Sequence, residues 1–158
     1  MGTRTVYPDT NCQYAYKTDR ASFLRRIQLK AEELWMDGYR VRPMGEANTF
    51  LVYREVEGLE AGYKVNPVTG TCTCKFLTDQ YQYPLDLADP GKIIPCKHLK
   101  GLKRLIDEEV GYFKGLEHQA RQHPHNEGSR RRADGYSVTW AALQLAWVEA
   151  MAAKRRAA

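Results

Sequence analysis

Two short clusters hold the residues best suited to chemistry. "TCTCKFLTD" (71–79) sets Cys72 and Cys74 one residue apart, and "PCKHLKGL" (95–102) sets Cys96 and His98 at the same spacing. On a strand, side chains at i and i+2 leave the same side of the ribbon, so both sulfurs of the first pair face one way. The second pair sits just inside a predicted helix start, where Pro95 suits the first turn. Together the clusters offer three thiolates and one imidazole, enough to close a tetrahedral shell around zinc. Soft sulfur donors favour zinc over magnesium or calcium. Three thiolates on a divalent ion leave a net charge of −1, which the positive end of the helix and the flanking Lys75 and Lys97 offset. Isolated cysteines are often small buried hydrophobes. Three of them with a histidine, in paired spacing, read as one metal site.

The order C-x-C, a 21-residue spacer, then C-x-H resembles the SWIM zinc finger, with Cys72-Thr73-Cys74 and Cys96-Lys97-His98 as the matching positions. The flanks, "YKV…TGTCTCKF" before and "CKHLKGL" opening a helix, are similar as well. The resemblance covers about residues 50–108. It implies one bound Zn²⁺ and a part in DNA or protein interaction, as in transposases and in proteins that work with recombinases or remodelling-type ATPases.

A catalytic zinc keeps one coordination position open. Four protein ligands leave none, so the expected ion is structural and the protein is not expected to be an enzyme. No other constellation supports catalysis. "GLEAGYK" (58–64) lacks the glycine spacing and the hydroxyl residue of a phosphate loop. Asp107, Glu108 and Glu109 read as a helix surface. Cys12 reads as a free or buried thiol, and His118, His123 and His125 as parts of a solvated loop.

The elements that must position these ligands are legible from periodicity. After an arm over residues 1–17, a helix is predicted from Asp19 or Ser22 to about Asp37. Phe23, Ile27, Ala31 and Leu34 form its buried stripe, Gly38 its stop, and Arg25, Arg26, Lys30, Glu32 and Glu33 its solvated face. "YRVRP", "TFLVYREV" and "GYKVNP" read as strands, with "VEGLEAG" as a hairpin connection and "PVTG" as a turn. Residues 76–95 read as a loop. The helix opening at Pro95 buries Leu99, Leu102, Leu105, Ile106 and Val110. The polar stretch "HQARQHPHNEGSRRRAD" (118–134) reads as a linker, bounding a zinc module over 18–115. A C-terminal helix over 136–158 is apolar on nearly every side, so it packs against the core or docks on another chain. Trp140, Leu143, Trp147 and Met151 are its candidate docking residues. The expected fold is α+β: an N-terminal helix, a small antiparallel sheet, a zinc-bound hairpin–helix unit and an apolar C-terminal helix.

The chain has 158 residues, 43% of them hydrophobic, and net charge +5. That length suits one domain with a core. No signal peptide and no run long enough for a membrane helix is present, so a cytoplasmic protein (nuclear in a eukaryote) with reduced cysteines is expected. The basic excess lies at the two ends; residues 55–115 carry −1. Candidate nucleic-acid contacts are Lys97, Lys100, Lys103 and Arg104 along the zinc-anchored helix, and Arg130, Arg131 and Arg132. Lys154, Arg155 and Arg156 could also touch phosphates. Tyr81 and Tyr83 could stack on unpaired bases, although Asp79, Asp86 and Asp89 in the same loop repel a phosphate backbone. Two function classes follow: a nucleic-acid-binding zinc protein, or an adaptor docking on a nucleic-acid enzyme. No small-molecule substrate is expected.

Overall fold

The computed structural model describes residues 20–56, 59–80 and 93–158. The expected N-terminal arm with Cys12, and Tyr81, Tyr83, Asp86 and Asp89, lie outside them. The described chain runs through α1 (Arg20–Glu32), β1 (Arg40–Pro43), β2 (Phe50–Val56), β3 (Leu59–Asn66), β4 (Thr71–Cys72), α2 (Lys75–Gln80), α3 (Lys97–Arg121) and α4 (Glu127–Ala157). The fold is α+β, as expected. No described helix is long and apolar enough to cross a membrane.

Helix α1 buries Phe23, Ile27 and Ala31, and Leu34 in the turns that follow it completes the stripe predicted from spacing. Its end is a Schellman motif. Gly38 takes φ +87°, its N–H bonds to Trp35 O at 3.0 Å, and Tyr39 N–H reaches back to Leu34 O at 3.0 Å. Glycine adopts this left-handed conformation without steric cost, which turns the chain directly into β1.

The four strands form an antiparallel meander in sequence order. Tyr39, Val41, Phe50, Val52, Val65 and Cys72 alternate onto its buried face, with period two. β2 and β3 pair from Phe50↔Val65 to Val56↔Leu59. The strands therefore extend through most of "VEGLEAG", the stretch expected as a connection, because ladder bonding satisfies the backbone more fully than a long loop would. The turn into β4 uses Asn66, whose side-chain oxygen accepts from Val68 N–H at 2.9 Å and Thr69 N–H at 3.1 Å, and Gly70 at φ +67°.

Two further expectations change. Residues 75–80 are helix α2 rather than loop. The polar linker expected over 116–135 is absent: α3 continues to Arg121, and α4 begins at Glu127 after a short turn. Asn126 caps α4 by accepting from Ser129 N–H at 3.0 Å. Arginine and glutamine are good helix formers, and the breakers His-Pro-His-Asn fill only the turn, so polarity here marks an exposed helix surface rather than a loop. The result is an αα-hairpin. Ser129, Ala133, Tyr136, Trp140, Leu143, Trp147 and Ala150 recur at steps of four and three along α4, making an antiparallel seam with α3.

The helix layer is joined to the sheet by Arg40 of β1. Its guanidinium Nε and Nη2 each donate to the Glu109 carboxylate at 2.6 Å. It also lies 5.0 Å from the centroid of Trp35 and 4.6 Å from that of Tyr112. Glu109 is 2% exposed. α1 comes close to α3 at Gly101, where a Cβ would sit 2.4 Å from Ala31 O.

Arg40→Ala strands the Glu109 carboxylate in the interior, and urea denaturation is expected to show a loss of about 3 kcal/mol. Gly101→Ala should cost about 2 kcal/mol by pushing α1 off α3. Native-like midpoints for both variants would contradict this packing.

Candidate metal centre

Each ligand is set by a local feature of the backbone. Thr73, between the first two cysteines, is pinned to β3 at two points. Its N–H donates to Lys64 O at 3.1 Å, and its hydroxyl oxygen accepts from Lys64 N–H at 2.9 Å. Cys72 is thereby held at the end of β4. Cys74 stands before α2, and its carbonyl accepts from Leu77 N–H and Thr78 N–H. On the other side of the spacer, Cys96 is the N-cap of α3. Its backbone is extended (φ −71°, ψ 168°), and its sulfur accepts from Leu99 N–H at 3.4 Å. His98 follows within the first turn.

The two sides are joined by Gln80, the last residue of α2 and itself buried. Its Oε1 accepts from Ile94 N–H at 2.9 Å and its Nε2 donates to Ile94 O at 2.8 Å. This amide completes the backbone pairing of the segment that leads into Cys96, so the second half of the site is registered on the first.

Cys72, Cys74, Cys96 and His98 converge as the sequence predicts. Their four ligand atoms lie within 4.8 Å of one another, and all four residues are buried. Cys72 Sγ is 3.8 Å from His98 Nδ1. Such a separation suits two ligands on one four-coordinate ion, with bonds of about 2.0–2.3 Å. Among the described residues no other group of three or more Cys, His, Asp or Glu side chains is placed to share an ion. His118 instead meets Gln122, at 3.2 Å.

The donor chemistry fits an ion. Hydrogen bonds from the Cys72 and Cys96 thiols, together outweighing burial, hold the Cys74 thiol far below its ordinary range. Hydrogen bonding to Cys74 and Cys96, with burial, pushes Cys72 far up. A hydrogen bond with Cys72 pulls Cys96 down, but its bond to Cys74 and its burial leave it pushed up to about 12. One thiolate sharing the protons of two thiols is the arrangement expected where three sulfurs crowd without a cation. Burial lowers His98 below the usual histidine value, and a hydrogen bond to Cys74 opposes this. A neutral ring is the form that binds metal. Its Nε2 is buried with no hydrogen-bond partner, and the ring packs between Tyr39 and Tyr63, with centroids at 5.5 and 4.4 Å.

A pocket of about 220 Å³ opens beside the cluster. Cys74, Cys96 and His98 contribute to its lining, and Arg26, Lys30, Arg54, Lys75 and Lys97 surround it. Arg54 and Lys97 both lie over the Tyr39 ring, at 4.8 and 5.2 Å. Burial first, then the charges of Lys30 and Arg54, hold the Lys97 ammonium below the usual lysine range, while Asp37 and Cys74 pull it back up. Sequence reasoning placed Arg26 and Lys30 on a solvated helix face and gave Arg54 no role. The available signal was spacing: Phe23, Arg26, Ile27 and Lys30 fall at i, i+3, i+4 and i+7, one side of a helix.

The remaining predicted residues scatter. Lys97 is in the pocket and Lys100 is exposed, but Lys103 pairs with Asp107 at 2.6 Å and Arg104 with Glu108 at 3.4 Å. Arg130 is exposed, Arg131 pairs with Glu127 at 2.7 Å, and Arg132 donates to the Ser129 hydroxyl at 3.1 Å. The first group lies along the opening turns of α3 and the second in the opening turns of α4, next to the far end of α3, where Arg121 meets Asp134 at 3.5 Å. Trp140, Leu143, Trp147 and Met151, the candidate docking residues, pack in or against this chain's own core, one of the two outcomes expected for an apolar helix. Trp147 meets Phe50 at 6.2 Å, and Trp140 Nε1 donates to Glu117 at 2.8 Å.

No family model, curated protein or solved structure matches the chain. Four side chains positioned to hold one metal ion are therefore the firmest functional feature. Cys96→Ser is expected to abolish stoichiometric metal by elemental analysis and to lower the melting temperature sharply. Since Cys72 and Cys96 hold their protons at neutral pH in the metal-free protein, loading should release about two protons. Apparent affinity must then weaken as pH falls, and a pH-stat titration against added metal checks it.

Proposed function

We propose that this chain is a SWIM-type zinc protein that takes part in DNA or RNA transactions by binding nucleic acid, within a complex. The observation that carries the reading is the buried Cys72–Cys74–Cys96–His98 quartet with cations around its open side. Among the described residues, none of Lys30, Arg54, Lys75 and Lys97 forms an ion pair. The quartet supports zinc because three sulfurs and one nitrogen in a four-ligand set match its coordination preference. It supports a structural ion because protein donors fill the shell, leaving no position for substrate or water. On this reading the metal fastens β4 and α2 to the start of α3, with an apparent binding energy on the order of 10–16 kcal/mol. No catalytic role is proposed.

The nucleic-acid side is supported by Lys100, exposed on the helix that the ion anchors, and by Arg130 at the far end of the hairpin. Each phosphate contact adds affinity that falls with salt. A second reading, an adaptor that docks on a nucleic-acid enzyme, is favoured by one observation. Val138, Leu145 and Val148 on the outer face of α4 are 69%, 58% and 59% exposed.

Fluorescence anisotropy with labelled single-stranded and duplex DNA and RNA at roughly 50 and 200 mM salt tests the first reading. Binding should weaken steeply with salt, and Lys100→Glu with Arg104→Glu should reduce the log–log slope by about 1 to 2. Salt-insensitive binding, or none, discards it. The adaptor reading then requires a partner whose capture is lost in Val138→Glu with Leu145→Glu. For the ion, competition is expected to give zinc over magnesium and calcium.

A further inference from the structure

The pocket beside the metal cluster has a charge balance that the ion does not explain. Four cations, Lys30 of α1, Arg54 of β2, Lys75 of α2 and Lys97 of α3, line it without an ion pair among the described residues, and none of the described lining residues is a carboxylate. Three thiolates on a divalent ion supply only −1. A positive excess remains in a recess walled by side chains from four separate elements. Arg26 adds a fifth positive charge.

The recess is also aromatic. Tyr39 is 2% exposed and fixed under the Arg54 and Lys97 head groups, and Tyr63 lines the same wall. Cations gathered beside the half-buried Tyr63 suit an anion with a planar group attached. Arginine binds phosphate through a two-pronged fork, lysine as a point charge, and a tyrosine face accepts a stacked base. Cys74, Cys96 and His98 are buried and form the inner end of the recess, while Arg54 and Lys75 are exposed at its mouth. A recess that narrows onto buried residues admits the end of a strand more readily than its middle.

We infer that the pocket lined by Lys30, Arg54, Lys75 and Lys97 binds the phosphate of a terminal nucleotide, with its base against Tyr63. This deepens the nucleic-acid reading and rests on it for the source of the nucleotide. The shared chemistry is a phosphate monoester beside a base, which a free nucleotide also carries.

The test uses the full, metal-loaded chain and four probes: a 5′-phosphorylated oligothymidylate, its unphosphorylated twin, thymidine monophosphate and inorganic phosphate. Affinities are measured by anisotropy competition. The phosphorylated strand should bind at least about tenfold tighter than its twin, and Lys30→Gln with Arg54→Gln should erase that increment. Both positions are away from the metal ligands, and unchanged zinc content and melting temperature confirm that the double variant is folded. Lys75→Gln, on the opposite wall, gives a second, independent loss. Equal affinity of the two strands overturns the terminal-phosphate site, and the nucleic-acid reading survives if both still bind with a steep salt dependence. Variant-sensitive binding of thymidine monophosphate without binding of either strand establishes the phosphate pocket and overturns the strand as its source. Binding of inorganic phosphate as tight as that of the monophosphate removes any role for the base and overturns the tyrosine-wall half of the inference.

Discussion

Three sulfurs and an imidazole crowded within 4.8 Å, all on buried residues, form the constraint around which the rest of the chain is arranged. Without a cation the trio settles on a single thiolate, with protons retained on its two neighbours. Every backbone device nearby serves to bring these groups together: Thr73 pinned to Lys64, Cys74 opening α2, Cys96 capping α3, and Gln80 pairing with Ile94. Folding thus assembles a set of groups that repel when ionised and are reconciled by a metal ion.

Around that centre, two contacts join the layers. Arg40 connects β1 to α3 through a buried carboxylate and an aromatic surround, and Gly101 brings α3 against α1. The αα-hairpin then buries the apolar side of α4 on the sheet through Phe50 and Trp147. Buried ion pairs contribute less to stability than their geometry suggests, because desolvation opposes attraction. The Arg40–Glu109 fork therefore contributes chiefly to specificity. It admits one register between sheet and helix, since any slip leaves the carboxylate alone.

Much of this was legible in the residues. The C-x-C and C-x-H spacing located all four ligands, because each spacing has a direct meaning on a strand end or a helix start. Helix α1 and the strands followed from period 3.6 and period 2, and Gly38 marked its stop. What failed was polarity read as a linker. "HQARQHPHNEGSRRRAD" is the exposed surface of two helices joined at a short turn, and no local property separates a hydrophilic helix end from a linker until its partner stripe is counted over both helices. For the same reason the sequence left open whether Trp140 and Trp147 meet the core or a partner: their seam is complete only against α3. The Arg40–Glu109 pair spans 69 residues of sequence, and the cation pocket gathers side chains from four elements, so neither leaves a local trace.

The Gln80–Ile94 pairing has a consequence for how the chain tolerates change. A glutamine side chain mimics a strand backbone there, closing the intervening stretch at its base. The entropy of closing such a stretch grows only slowly with its length. Insertions or deletions between the two anchor points should therefore leave the ligands in register, which makes that interval the natural place for divergence among descendants of this chain and a practical port for a fused peptide or dye.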